Sequence, residues 1–215
     1  SLFVGNVHRF CSKFLYEQGL LAAECAVIDE NDAVSILARY LGEDEQMVAT
    51  NGNRKHDYTT IINLSHFMHQ MAMKHPRHIR MHADCLNSED ITALRNMLSM
   101  MGKEFSADQM MEVYNNALTY EDAMAVSNLN LADAHIISNM LKKMKFAHAY
   151  EAYKEQNNLV DFEDLLLKAY DALSQSDEYH KYSWMQVDEV QDLNFLQLSI
   201  LDLLFNEGNE SVLFL

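Results

Sequence analysis

The sequence is poor in the residues that interrupt regular structure. It has one proline (Pro76) and six glycines among 215 residues, whereas strand-rich domains need many turns, and turns consume both residue types. Three widely spaced cysteines form neither a disulfide framework nor a CxxC metal knuckle. No apolar run approaches the ~18 residues that span a bilayer, and the N-terminus lacks a signal-peptide pattern. We therefore expect a mostly helical, reduced, cytoplasmic protein without a membrane partner.

Basic residues are also scarce. The chain has 16 lysines and arginines against 32 acidic residues, which gives a formal net charge of −16. This charge argues against a protein that simply coats nucleic acid, because binding phosphates by charge needs a basic surface. One stretch is an exception, since between Asn51 and His82 the single acid Asp57 is outnumbered by five basic residues, here called the basic island: Arg54, Lys55, Lys74, Arg77 and Arg80.

Six of the ten histidines lie in the same stretch. His75, His78 and His82 have the spacing of one helical face, and histidine is an accepted zinc ligand. However, Pro76 interrupts any helix there, and no second ligand pair has knuckle spacing. The stretch therefore predicts either a solvated, weakly basic surface or a surface that contacts phosphates, with zinc binding as a third alternative.

Helix start signals followed by apolar residues three or four apart occur along most of the chain. Helices are predicted to begin near Asp32, Ser88, Ser106 and Asp161, and the first of them is predicted to end at Gly42. Strand character is confined to segments 2–4, 184–187 and 211–215. A helical body between short strands indicates a helical insertion in an α/β domain.

The clearest chemical signal follows segment 184–187. Asp188 and Glu189 come directly after this apolar segment, which places both carboxylates at the carboxyl edge of a sheet, where α/β proteins bind ligands. In a phosphate-hydrolysing site the first carboxylate holds Mg²⁺ and the second activates the attacking water. Two exposed acids without chemistry are the alternative, but the full Asp-Glu-x-Gln-Asp pattern is more specific.

Several segments together resemble the UvrD/Rep-like superfamily 1 DNA helicases. Asp188-Glu-Val-Gln-Asp192 resembles the Walker B element of that family, and segment 159–167 is similar to its VDF-[DE]-[DE]-LL helix. Segment 3–11 resembles the short G-T-x-H-S motif, which lies on the single-stranded DNA track of the family. Segment 27–33 resembles the step at the entrance to the helical insertion.

This resemblance implies a mostly α fold, with a helical insertion domain flanked by a partial α/β RecA-like (P-loop NTPase) sheet. Residues 1–17 and 154–215 would belong to the RecA-like domain and residues 18–153 to the insertion. The resemblance assigns Mg²⁺ to Asp188, ATP to Asp188 and Glu189, and catalysis to Glu189 and Gln191. It assigns DNA contacts to the turn that holds Asn6, His8 and Arg9, although Asn6 and Arg9 replace the usual Thr and Ser.

One expected motif is missing from the sequence. There is no G-x-x-x-x-G-K-[ST] loop to cradle phosphates, and the one Gly-Lys pair, Gly102-Lys103, is followed by Glu104. We therefore expect a fragment of an ATP-dependent DNA helicase that is inactive in isolation. The complete protein is expected to be bacterial in type, nucleoid-associated, and engaged with DNA and repair proteins. The alternatives are a non-catalytic DNA- or protein-binding module derived from a helicase, and a degenerate helicase-like protein.

Overall fold

The computed structural model describes residues 3–73, 86–125, 129–176, 179, 182, 184–205 and 212–213. The chain divides into two compact units. The helical unit is Ala26–Asp161, and the terminal unit combines Ser1–Cys25 with Phe162–Leu215. The predicted fold class, mostly α with a partial RecA-like sheet, is confirmed.

The helical unit consists of seven described helices and two short strands. In chain order these are β1 (Ala26–Ile28), α2 (Glu30–Tyr40), α3 (Glu45–Thr50), α4 (Gly52–Ala72), α5 (Ser88–Met100), α6 (Ala107–Asn115), α7 (Ala117–Ala125), α8 (Leu131–Gln156) and β2 (Leu159–Asp161). They follow α1 (Val7–Glu17), which belongs to the terminal unit. None of the helices within the described ranges has the length and apolar character to cross a membrane.

Side-chain caps fix where these helices begin. The predicted start of α2 at Asp32 is wrong by three residues, because Asp29 is the cap. Asp32 N donates to Asp29 Oδ1 at 2.9 Å, and Asp29 N donates to Asp32 Oδ2 at 3.3 Å. The predicted end is confirmed, since Gly42 adopts the left-handed φ of 72° that suits a residue without Cβ.

Two other predicted caps differ in detail from the structure. At α5 the cap is Asn87 rather than Ser88, because Asn87 Oδ1 accepts from Asp90 N at 2.9 Å. At α6 the hydroxyl of Ser106 accepts from Gln109 N at 3.4 Å, as predicted. The side chain of Gln109 accepts from Glu104 N instead of completing a capping box with Ser106.

The core of the helical unit lies around the two long helices, α4 and α8. Apolar side chains from every helix of the unit join one buried cluster. Methionine is prominent in it, because an unbranched thioether fills irregular gaps between helices. The buried methionines include Met68, Met97, Met110 and Met144.

Strands β1 and β2 pair in parallel at the two chain ends of the helical unit. Ala26 lies opposite Leu159, and Ile28 lies opposite Asp161. Neither strand was predicted, because three residues are too few to establish an alternating pattern. Strand β2 lies within segment 159–167 and β1 overlaps segment 27–33, both of which carry the family resemblance.

The terminal unit contains α1, α9 (Phe162–Gln175), β3 (Gln186–Val187), a 3₁₀ turn (Val190–Asp192), α10 (Phe195–Leu203) and β4 (Val212–Leu213). Helix α9 packs against both α1 and α10. It buries an apolar face that includes Leu166, Ala169 and Tyr170. The helix begins at Phe162, one residue after the predicted start.

Strands β3 and β4 pair in parallel, with Gln186 opposite Val212 and Val187 opposite Leu213. Both strands fall inside predicted segments, and β3 is shorter than predicted because Trp184 and Met185 have no regular structure. The third predicted strand is wrong for the part the structure describes, because Phe3 and Val4 have no regular structure. Phe3 instead contacts Phe10 edge-on at 5.5 Å, and no described strand pairs with segment 3–4.

Candidate nucleotide-hydrolysis site and nucleic-acid contacts

Asp188 and Glu189 lie at the carboxyl end of β3. Asp188 directly follows Val187, the last residue of the strand, and Glu189 then adopts φ 52° and ψ 44°. A left-handed backbone is uncommon for a residue with a side chain and tends to occur at functional positions. The 3₁₀ turn from Val190 follows at once, with Asp192 N donating to Glu189 O at 2.9 Å. The strand thus ends in a tight turn that carries two adjacent carboxylates.

Hydrogen bonds hold the two carboxylates in place. Glu189 N donates to Asp188 Oδ1 at 3.0 Å, which fixes the first carboxylate against the turn. Gln191 Nε2 donates to Glu189 Oε2, which fixes the second. All three side chains are exposed to solvent. Exposed carboxylate oxygens are the hard ligands that Mg²⁺ prefers, so this donor set fits a hydrated magnesium ion.

The Gly102-Lys103 pair has a structural role and does not form a phosphate-binding loop. Gly102 has φ 71° and ends α5, with Lys103 N donating to Leu98 O at 2.8 Å. Lys103 Nζ donates to both carboxylate oxygens of Glu112, at 2.8 and 2.9 Å. This lysine is therefore engaged in an ion pair between the end of α5 and α6.

Asn6, His8 and Arg9 are brought together at the amino end of α1. Asn6 Oδ1 caps the helix by accepting from Arg9 N at 2.8 Å, which leaves the amide group of Asn6 as a hydrogen-bond donor. Both Asn6 and Arg9 are exposed. The half-buried ring of His8 contacts Phe162 edge-on at 5.4 Å. Burial lowers the pKa of His8, so its imidazole is neutral near pH 7 and offers hydrogen bonds rather than charge.

Only part of the basic island lies in the described residues. Arg54, near the start of α4, forms an ion pair with Glu43, and Lys55 Nζ donates to Asn31 Oδ1 at 3.2 Å. Local acidic and polar groups thus engage both cations. The remaining predicted residues lie outside the described ranges: Lys74, Arg77 and Arg80, together with the zinc alternative of His75, His78 and His82.

Sequence reasoning missed a buried charged cluster in the helical unit. Asp161 Oδ2 accepts from His66 Nε2 at 2.8 Å, Tyr150 OH at 3.0 Å and Lys154 Nζ at 3.0 Å. Lys154 also lies 3.0 Å from Glu151 Oε1. Burial alone would raise the pKa of Glu151, but the charges and hydrogen bonds of Lys154, Ser65 and His66 lower it overall. No sequence pattern announces this cluster, because its members are as many as 95 residues apart.

A parallel strand that ends in adjacent carboxylates, in a chain whose middle forms a separate helical unit, is the arrangement expected of a helicase ATPase domain. The family model of the UvrD/REP helicase N-terminal domain matches residues 1–215. The chain therefore belongs to the UvrD/REP helicase family, and the resemblance seen in its motifs is confirmed.

The chain is also similar to ATP-dependent DNA helicase SRS2 of Saccharomyces cerevisiae. The two are 23% identical over 211 residues, which cover 97% of this chain and 15% of the yeast protein. The chain thus spans about 15% of the length of the curated relative it matches. The search of solved structures found no match.

Proposed function

We propose that this chain supplies the Walker B carboxylates and the helical insertion of the N-terminal ATPase domain of an ATP-dependent DNA helicase. The observation that carries the proposal is the placement of Asp188 and Glu189 at the carboxyl end of β3, with Gln191 bonded to Glu189. Membership in the UvrD/REP helicase family supports it independently. We further propose that the complete protein acts with repair proteins.

Each residue of this turn has a distinct proposed role. Asp188 holds Mg²⁺ through water, because its carboxylate is exposed and fixed at the strand end. Glu189 accepts the proton of the attacking water, and Gln191 orients the Glu189 carboxylate for that transfer. When bound, ATP would supply the phosphoryl group, and Mg²⁺ would offset the negative charge that develops during its transfer.

The proposed DNA contacts are of two kinds. In the terminal unit, the Asn6 amide, the neutral His8 imidazole and the Arg9 guanidinium can each donate a hydrogen bond to phosphate oxygens. In the helical unit, Arg54 and Lys55 of the basic island would have to break their contacts with Glu43 and Asn31 in order to bind DNA. We therefore propose that these two residues contribute weakly and in a strongly salt-dependent way.

The phosphate cradle is the part that these 215 residues do not provide. The sequence has no Walker A loop, and the Gly102-Lys103 pair is engaged elsewhere. We therefore propose that the isolated chain neither binds ATP tightly nor hydrolyses it. The same observation favours a second candidate function, a non-catalytic module derived from a helicase that only contacts DNA or a partner protein.

Calorimetric titration of the isolated chain with Mg-ATP tests this part of the proposal. We expect no saturable heat, because exposed carboxylates alone give the triphosphate no cradle. Titration with MgCl₂ alone is the control for heat that comes from the metal. Saturable binding of Mg-ATP in the micromolar range would contradict the proposal, since some other residues would then have to form the phosphate site.

A further inference from the structure

We propose that the exposed face of α8 binds the phosphate backbone of nucleic acid, centred on Lys142 and Lys143. This inference rests on the proposed function in DNA binding and names a surface distinct from the basic island. The observation behind it is a run of α8 that is positive within an acidic chain.

The charge pattern along α8 is unusual for this sequence. No acidic residue occurs between Asp133 and Glu151, a stretch that holds three lysines and two histidines. The chain as a whole has twice as many acidic as basic residues. Because phosphate contacts depend on local positive charge, this stretch of α8 has the composition of a phosphate-binding surface.

The helical period places Lys142 on the side of α8 opposite its buried residues, and the half-buried Lys143 flanks it about 100° around the helix. Ile137, Leu141 and Met144 are buried, and the opposite side carries a line of side chains spaced four, three and four residues apart. These are His135, Asn139, Lys142 and Phe146. Asn139 Nδ2 lies 3.2 Å from His135 Nδ1, so these two polar side chains contact each other.

The lysines of this face differ in how far they are neutralised. Lys145 lies 3.8 Å from a carboxylate oxygen of Glu121 on α7. Lys142 Nζ lies 5.7 Å from the centroid of the Phe146 ring, an interaction that leaves its charge uncompensated. No ion pair involves Lys142 or Lys143 within the ranges that the structure describes. Arg54 of the basic island, in contrast, is paired with Glu43.

These features fit a nucleic-acid backbone better than a generic anion. Lys142 and Lys143, which form no ion pair among the described residues, project in different directions from α8, so each can neutralise a different phosphate. The amide of Asn139 adds a neutral hydrogen-bond donor of the kind that contacts phosphate and sugar. Phe146, which packs partly against the core, lies beside Lys142 and holds its ammonium near the ring. The surface is therefore expected to bind by position and charge, without reading sequence.

The experiment compares DNA binding by the 215-residue chain and three double variants. Fluorescence anisotropy with a labelled duplex that bears a single-stranded tail gives Kd at several salt concentrations. These run from roughly 50 to 200 mM, because phosphate contacts weaken steeply over that range. Lys142→Gln with Lys143→Gln removes two charges from the surface. Arg95→Gln with Lys168→Gln removes two charges from other exposed positions. Lys142→Arg with Lys143→Arg keeps the charge, and circular dichroism verifies that all variants are folded.

We expect the Lys142/Lys143 glutamine pair to bind more weakly and to lower the slope of log Kd against log salt by about two, close to one for each phosphate that is no longer neutralised. The arginine pair and the Arg95/Lys168 pair should match the wild-type slope. Equal weakening by the Arg95/Lys168 pair would contradict the inference, because net charge alone would then explain the effect.

Two further outcomes separate this inference from the proposed function. Wild-type binding that the Lys142/Lys143 glutamine pair leaves unchanged would overturn the α8 surface while DNA binding by the chain still stands. No wild-type binding even at the lowest salt would overturn both the surface and the DNA-binding role of this chain. Equally strong competition by poly-glutamate would also overturn the inference, because the surface would then accept any polyanion.

Discussion

Replacing Asp161 by asparagine is expected to destabilise the helical unit substantially. Asp161 is 5% exposed, and one of its oxygens accepts hydrogen bonds from His66, Tyr150 and Lys154. Lys154 is itself only 2% exposed. Asparagine keeps the size and one acceptor oxygen of Asp161 but removes the charge that compensates the buried ammonium.

The size of the effect follows from what remains around Lys154. Removing one partner of a buried ion pair typically costs about 3–5 kcal/mol, because the other charge is left uncompensated. Here Glu151 Oε1 stays 3.0 Å from Lys154 Nζ, so we expect the lower end of that range, about 3 kcal/mol. That is a large share of the ~5–15 kcal/mol by which a typical domain is stable.

Urea unfolding followed by circular dichroism measures this loss, with a fit that allows each compact unit its own transition. Asp122→Asn, at an exposed position on α7, is the matched control and should change stability by less than about 0.5 kcal/mol. The Asp161→Asn, Lys154→Met double variant should lose less stability than the two single variants together, because each single change leaves the other charge without its partner. An Asp161→Asn variant as stable as Asp122→Asn would refute this reasoning.

Two further predictions concern the terminal unit. Burial lowers the pKa of His8 below the 6.5 of an unfolded histidine, so the unfolded chain takes up a proton first as the pH falls. The stability that depends on neutral His8 should be fully present above about pH 6.5 and decline below it. Urea unfolding between about pH 5 and pH 7 measures this decline. His8→Gln should reduce the decline, and His135→Gln, at an exposed position, should leave it unchanged. Glu189→Gly should raise the stability of the terminal unit by about 1 kcal/mol, because glycine adopts the left-handed φ of 52° without strain. Calorimetry that finds this variant less stable would contradict the strain argument, and Lys168→Gly at an exposed position in the interior of α9 is the control that should lose stability.

The elements that sequence alone predicted are those with local signals. Helix α9 was predicted because its apolar residues recur at helical spacing, and β3 because an apolar segment precedes Asp188 and Glu189. The position of Asp188 and Glu189 at a strand end could be predicted because the motif is contiguous in the chain. The left-handed backbone of Glu189 had no such signal, since nothing in the residue type calls for it.

What sequence could not predict depends on contacts between distant residues. The pairing of β1 with β2 joins residues more than a hundred positions apart, and His66 reaches Asp161 across 95 positions. Counting charges along the chain favoured the basic island, but the structure pairs Arg54 with Glu43, which lies outside the counted stretch. The same count overlooked α8, where the stretch between Asp133 and Glu151 has only three lysines but no acidic residue.

The central claim is that Glu189 activates water and Asp188 holds Mg²⁺ in an ATPase site. It is tested most directly by steady-state, DNA-stimulated ATP hydrolysis in a complete helicase that includes this chain and a Walker A loop, with nucleotide affinity measured in parallel. We expect Glu189→Gln to lower turnover by ~10²–10⁴-fold with little change in affinity, because the amide keeps the shape but cannot accept a proton. Asp188→Asn should weaken Mg²⁺-dependent nucleotide binding as well as turnover. A Glu189→Gln helicase that hydrolyses ATP at the wild-type rate would contradict the Walker B assignment of this strand.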